Sequence, residues 1–513
     1  MTRRHSRASL ALTALVVAAT VSLTGCASWF LPARPATTST PTGEDVAPGL
    51  ADYYHQVLVW SPCGDGMQCT TAKAPMDWDD PAGESIELAL IRQPATGQRL
   101  GSLLVNPGGP GGSGYDFIHD SIDYATTERL QGSYDIVGFD PRGVGRSSAV
   151  SCYDDPSSLD AFLYDPLPAP VGGDEWIAAS TEVNDRFGQD CLEHTGALLE
   201  HVDTVSAARD LDLLRAVLGD AKLNYLGYSY GTYLGATYAE LYPGNVGRLV
   251  LDGALDPSTS DFDVTKTQAV GFESALTAYL TDCVQREGCP FRSVDGARRQ
   301  IAGLLDAVTA SPVTGEDGRV MSAGTLFFAI ILPLYSQDTW GYLDLLFDEV
   351  IQGETRVAFF LADSYYERNP DGTYTGNTIE ANIAINCLDY AGGDPDVAVM
   401  RAEAAELAAA APVFGPRMSY GALSCVDWPF PPAHERGPIH APGSPDILVL
   451  GTTNDPATPY VWAQALADQL EHGHLVTLHG EGHTAYNKFN DCIDGTVDDF
   501  FIDGAVPAAD PDC

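Results

Sequence analysis

The segment Gly227-Tyr228-Ser229-Tyr230-Gly231-Thr232 constrains this chain more than any other. It follows the apolar run Leu223-Asn224-Tyr225-Leu226 and precedes Tyr-Leu-Gly-Ala-Thr-Tyr-Ala-Glu-Leu at 233–241, which reads as a helix. A Gly-x-Ser-x-Gly turn between a strand and a helix is so tight that its serine takes strained dihedrals. Glycines two residues to either side leave room for the crossing backbones. The hydroxyl of Ser229 is then presented at the carboxyl edge of a sheet, as a nucleophile requires.

Where such a turn serves as the nucleophile elbow of an α/β-hydrolase, an Asp or Glu and then a His follow in chain order. Ser444-Pro-Asp-Ile-Leu-Val-Leu-Gly451 is a short apolar strand leading into Thr452-Thr-Asn-Asp-Pro-Ala-Thr-Pro459, so Asp455 sits just past a strand end. A second strand, His474-Leu-Val-Thr-Leu478, leads to His483 in a Gly-His-Thr loop. The imidazole would take the serine proton as general base, and the carboxylate would fix its tautomer and stabilise the imidazolium. Asp252, ending the strand Arg248-Leu-Val-Leu251, is an alternative acid, and His479 is the weaker rival to His483.

Acyl transfer also needs donors for the oxyanion. The backbone N–H of Tyr230 is one. The second is expected from Pro107-Gly-Gly-Pro-Gly-Gly-Ser-Gly114, which follows the strand Leu103-Leu-Val-Asn106. Pro110 has no N–H, leaving Gly109 as the expected donor and Gly108 in reserve. No Lys-Ser or Lys-Thr follows these glycines, which argues against a phosphate-binding loop. In Asp140-Pro-Arg-Gly-Val-Gly-Arg-Ser147, Arg142 reads as structural rather than catalytic.

Taken together, Asn-Pro-Gly-Gly-Pro-Gly, Phe-Asp-Pro-Arg-Gly-Val-Gly-Arg-Ser, Gly-Tyr-Ser-Tyr-Gly-Thr and Asn-Asp-Pro-Ala-Thr-Pro resemble the secreted tripeptidyl aminopeptidases of actinobacteria, relatives of proline iminopeptidases. The resemblance spans roughly residues 46–513. It implies an α/β-hydrolase fold, with a mostly parallel central sheet and an inserted helical cap, and serine hydrolysis of short peptides from a free N-terminus. Some relatives are described as carboxylesterases, which is the alternative function on the same triad. A non-catalytic binding lipoprotein is a third possibility, and intact Ser229, Asp455 and His483 argue against it. An aminopeptidase must also hold an ammonium. Asp252 is one candidate acid, and Asp389, in a segment resembling the family's cap motif, is the other. Thr458 is placed to hydrogen-bond within the Asp455 loop, and Tyr228 and Tyr230 flank the nucleophile.

The beginning of the chain bears on location. Arg3, Arg4 and Arg7 precede an apolar stretch at 10–19, and Leu23-Thr-Gly-Cys26 resembles a lipobox in which Cys26 is lipidated. The expected organisation is a signal peptide at 1–25, a disordered tether at 26–45 rich in Pro, Thr and Ala, the first part of the core at 46–257, a helical cap at 258–415 and the rest of the core at 416–513. Of eleven cysteines, ten remain after Cys26, an even number. Candidate pairs are Cys63–Cys69, Cys283–Cys289, Cys152–Cys191, Cys387–Cys425 and Cys492–Cys513, although connectivity does not follow from sequence. Export makes disulfides the default over metal ligation. No cofactor or metal is expected.

With 27 Lys plus Arg against 70 Asp plus Glu, the formal charge of −43 disfavours nucleic acid and anionic lipid as partners. The expected partner is a peptide substrate, with membrane contact through a lipid anchor only. The expected form is a monomer. The location is then the cell surface or the medium. Strands are expected near 56–60, 86–91, 103–106 and 134–139, and a helix over 204–218 with Thr204 as N-cap. Helical periodicity recurs at 265–286, 297–310, 326–332, 342–351, 356–366 and 397–411, in the roughly 150 residues before the last strands.

Overall fold

In a computed structural model of the chain, residues 36–168, 170–315, 318–390 and 396–513 are described. The expected signal peptide and Cys26 lie outside these residues. In chain order the strands are β1 (Thr37–Thr38), β2 (Val59–Gly64), β3 (Met67–Pro75), β4 (Ser85–Gln93), β5 (Gly101–Asn106), β6 (Tyr134–Phe139), β7 (Leu223–Tyr228), β8 (Val246–Asp252), β9 (Val313–Thr314), β10 (Val320–Met321), β11 (Ile447–Asn454) and β12 (Gly473–Glu481). One sheet runs β1-β2-β3-β4-β6-β5-β7-β8-β11-β12, and β9 with β10 forms a separate hairpin.

From β6 to β12 every pairing is parallel, whereas β1 to β4 are antiparallel and β4 meets β6 antiparallel. All residues of β5 and β6 are buried, as expected for parallel strands covered on both faces. Separate apolar clusters cover the two faces, one around Leu104 and Leu211, the other around Val105 and Ile118. The chain passes from β5 to β6 on one side and later to β7 on the other. The crevice over β5 and β7 is therefore the topological switch point, where open α/β sheets bind ligands. Register keeps the carboxyl ends level there: Asn106 pairs with Gly227, and Tyr228 with Asp252.

Several expectations need correction. The strand expected at 56–60 begins at Val59, because Gln56 pairs with the Lys73 backbone through its side-chain amide instead of its main chain. The helix Thr204–Leu218 is capped by Asp203, whose carboxylate accepts from Ser206 N at 2.9 Å, while the Thr204 hydroxyl is engaged elsewhere. Within the expected tether, residues 36–45 are ordered against the core. Thr37 and Thr38 pair with Trp60 and Val59, and Glu44 pairs with Arg215 at 2.7 Å.

Between β8 and β11 lie helices Asp261–Cys283, Val294–Ala310, Ala323–Leu334, Trp340–Ile351, Arg356–Tyr365, Thr378–Asp389 and Val397–Ala410. All but the last contribute to an apolar cluster of their own around Phe272, Leu276, Ile301, Phe327 and Leu346, and the last packs Leu407 with Ala269 beside it. Helices Pro156–Tyr164 and Asp174–Thr195, inserted between β6 and the helix Thr204–Leu218, were not anticipated. The first of them joins the cap: Tyr164 enters its cluster, and Asp160 accepts from Arg368 and Tyr374. Helix Thr378–Asp389 was missed because its apolar residues do not form one stripe. Ala381, Ala384 and Leu388 enter the sheet's core while Ile379 packs on the cap, so the helix is buried on more than one side. All five candidate disulfides form, Cys63–Cys69, Cys152–Cys191, Cys283–Cys289, Cys387–Cys425 and Cys492–Cys513.

Candidate active site

Ser229 follows β7 directly, at φ 55° and ψ −123°, a conformation that residues with a Cβ rarely occupy. Local bonds hold it there. Its N–H donates to the Asp252 carbonyl at 2.9 Å, and its carbonyl accepts from the Thr232 amide at 2.9 Å and the Thr232 hydroxyl at 2.6 Å.

Asp455 and His483 meet at the ends of β11 and β12. His483 Nδ1 lies 3.0 and 2.9 Å from the two Asp455 carboxylate oxygens. Oδ1 also accepts from the amides of Ala457 and Thr458, both at 2.9 Å, and Oδ2 from the Thr458 hydroxyl at 3.0 Å and the Thr484 amide at 3.2 Å. A carboxylate only accepts, so Nδ1 carries the imidazole proton and Nε2 is left as the basic nitrogen. The Asp455 side chain is fully buried, whereas that of His483 is 11% exposed, so the acid is sealed and the base faces outward. Gly253 lets the ring approach: a Cβ there would lie 3.2 Å from His483 Cε1 and 3.0 Å from the Thr458 hydroxyl.

Gly108, at φ 97°, lies against the nucleophile. A Cβ on it would stand 2.5 Å from the Tyr228 carbonyl, 2.9 Å from Ser229 Cβ and 3.0 Å from Tyr230 N. Its own N–H donates to Asn106 Oδ1 at 2.9 Å and so is not free for an oxyanion. Tyr230 begins the helix Tyr230–Leu241, so its N–H has no intrahelical acceptor and gains from the helix dipole.

The two acids offered as ammonium ligands are occupied internally, which corrects that expectation. Asp252 is fully buried and accepts from Ala485 N at 2.8 Å and Tyr486 N at 2.9 Å. Since its carbonyl also holds Ser229 N, one residue braces both the nucleophile and the loop that carries His483. Asp389 accepts from Thr204 N at 2.9 Å and the Thr204 hydroxyl at 2.5 Å, closing the start of a core helix. Burial pushes the Asp252 carboxyl up to about 6 and that of Asp389 up to about 7, the neighbouring hydrogen bonds opposing the rise.

A carboxyl whose folded pKa is raised stabilises the fold at low pH, and that contribution disappears as pH rises from about 4 to about 7. Asp389→Asn keeps an acceptor for Thr204 N and cannot ionise. It should therefore be more stable than the wild type at pH 8, by at most about 4 kcal/mol and with a higher Tm, the gain vanishing at pH 4. A lower Tm for the variant at pH 8 would contradict this account.

His479 pairs with Asp512 at the surface, and Arg142 is buried on Asp210 and three backbone carbonyls. The Tyr228 hydroxyl donates to Ala125 O at 2.7 Å, and that of Tyr230 meets Thr204, so both side chains serve packing. Two cap residues escaped sequence reasoning. Tyr335, ending helix Ala323–Leu334, accepts His483 N at 2.8 Å on its carbonyl and sets its ring edge-on to the imidazole at 5.4 Å. Asn382 donates to the Pro110 carbonyl at 2.9 Å, fastening the oxyanion loop to the cap. Neither lies near a catalytic motif in sequence, so no local signal marks them.

A strained serine on a doubly covered parallel sheet, beside an Asp–His pair and a glycine loop, defines a serine hydrolase of the α/β-hydrolase class. A profile described as alpha/beta hydrolase fold matches residues 101–295, and one described as TAP-like protein matches residues 411–513. Serine protease Hip1 of Mycobacterium tuberculosis is 36% identical over 487 residues, covering 89% of this chain and 91% of that protein. Carboxylesterase B of the same species is 35% identical, covering 87% and 86%. Tripeptidyl aminopeptidase of Streptomyces lividans is 31% identical, covering 87% and 83%. The chain belongs to the tripeptidyl aminopeptidase family of α/β-hydrolases.

Proposed function

We propose that the protein is an exported serine exopeptidase that releases tripeptide-sized fragments from free N-termini. Ser229 attacks the scissile carbonyl, and His483 Nε2 takes its proton and returns it to the leaving amine. Asp455 fixes the ring, and the amides of Gly109 and Tyr230 receive the oxyanion. The carrying observation is the convergence on one residue: Asp252 holds Ser229 N through its carbonyl and the His483 loop through its carboxylate. The relatives named as peptidases support the substrate class, and the five disulfides support an oxidising compartment. Anchoring through Cys26 belongs to the same reading, and partitioning of the native enzyme into a detergent phase tests it.

A carboxylesterase is the second reading. It is favoured by the similarity to carboxylesterase B and by the aromatic wall of Tyr335, Phe328 and Tyr365 in the cap. The deciding experiment compares Ala-Ala-Pro-arylamide bearing a free N-terminus with its N-acetylated form and with a p-nitrophenyl ester. The exopeptidase reading expects kcat/KM to favour the free amine by about a hundredfold, the order of a desolvated charge contact. Indifference to acetylation with fast ester cleavage would make the enzyme an esterase.

A further inference from the structure

With Asp252 and Asp389 occupied, the exopeptidase reading lacks an acid for the substrate ammonium. We infer that Glu367 is that acid, a specificity-determining carboxylate that receives the free N-terminus of a peptide whose third carbonyl lies at Ser229. The assignment rests on the exopeptidase reading.

Two chains of contact place Glu367 at the mouth of the site. The first runs along the oxyanion loop. Glu367 accepts from the Thr378 hydroxyl at 3.0 Å. Thr378 opens the helix Thr378–Asp389, and its carbonyl lies 2.4 Å from where a Cβ on Gly111 would stand. Gly111 is three residues beyond Gly108, which touches Ser229. The second runs along the wall above His483. Tyr335 sets its ring on the imidazole, and its hydroxyl lies beside that of Tyr365, two residues before Glu367. Three residues of loop reach at most about 10 Å, and this loop is curled shorter by Gly112 N on the Gly108 carbonyl at 3.2 Å, so three extended substrate residues are long enough to cover it. A tripeptide laid from Ser229 along the loop would bring its ammonium to the Thr378 end.

The backbone at Glu367 is shaped for this placement. Its φ of 58° is costly for a residue with a Cβ, and the turn is locked by Thr375 N on its carbonyl at 3.0 Å and by Arg368 N on Asp363 O at 2.8 Å. The other carboxylates around the loop are satisfied. Asp140 accepts from the Ser113 hydroxyl and from the amides of Tyr115 and Arg146, Asp116 pairs with Arg146, and Glu380 takes Cys152 N. Among the described residues Glu367 receives one hydroxyl and no cation. Burial, with a smaller push from Asp116, raises its carboxyl, and an ammonium partner would reverse that penalty.

Glu367→Gln keeps an acceptor for Thr378 and removes the charge. For the wild type and this variant, kcat/KM is measured on Ala-Ala-Pro-arylamide with the N-terminus free and acetylated. The assignment expects the free-to-acetylated ratio to fall by at least about tenfold, mainly through KM, as loss of one charge-assisted contact predicts. Glu367→Asp should recover part of it. A ratio that survives Glu367→Gln overturns the assignment alone. So does a parallel loss on both substrates, which would mark a structural role. Absence of any free-amine preference in the wild type overturns the exopeptidase reading and this assignment together.

Discussion

Ser229→Ala should abolish turnover and leave the fold as it is. The strain at this position, φ 55° and ψ −123°, is borne by any residue with a Cβ, so alanine neither relieves nor adds to it. The bonds that hold the turn, Ser229 N to Asp252 O and Thr232 to Ser229 O, are all made by the backbone of residue 229 and survive the change. What disappears is the hydroxyl that forms the acyl-enzyme. A fall in kcat of about 10⁶ is the scale expected when the nucleophile of such a constellation is removed, with residual rate from the oxyanion donors and binding alone. The check is the burst of p-nitrophenol from a p-nitrophenyl ester, with Tm measured alongside. The burst should vanish at unchanged Tm. A variant with near wild-type turnover would refute the nucleophile assignment.

The parts of the site legible in the sequence share one property: each lies within a few residues of a strand end. Ser229 follows β7, Asp455 follows β11 and His483 follows β12. Strand period, turn glycines and chain order are local or ordinal signals, so they survive reading one residue at a time. The glycine loop after β5 was legible for the same reason. The choice of Gly109 over Gly108 gains its physical basis only when Asn106 is seen taking the Gly108 amide. Asp252 and Asp389 show the opposite case. A buried acid reads as a group in search of a cation, but here backbone amides and a hydroxyl from distant residues supply the partners. Tyr335 and Asn382 act through contacts between the cap and loops more than a hundred residues away in sequence, and no period or spacing encodes them.

Asp455→Asn should cost about 10⁴ in kcat with little change in KM, and the hydrogen bonds explain why the amide cannot turn to avoid it. Oδ1 of Asp455 accepts two backbone amides, those of Ala457 and Thr458. Placing the Asn NH₂ there would set donors against donors in a buried loop, at a cost of about 1–3 kcal/mol for each group left unmatched. The side-chain oxygen therefore stays on that side, and the NH₂ takes the Oδ2 position, 2.9 Å from His483 Nδ1. From there it donates to Nδ1, drives the imidazole proton to Nε2 and leaves no base facing Ser229. The Thr484 amide, which also donates to Oδ2, loses its acceptor, so a modest fall in Tm accompanies the loss of rate. Asp252→Asn is the control that separates this chemistry from support. Its carboxylate meets the amides of Ala485 and Tyr486 and makes no bond to the ring, so its loss should loosen the His483 loop without setting the tautomer. It should cost far less in kcat than Asp455→Asn, because the tautomer of His483 is untouched. If Asp252→Asn removed the rate and Asp455→Asn did not, the acid of the site would be Asp252, and the Asp455–His483 contact would be a structural one.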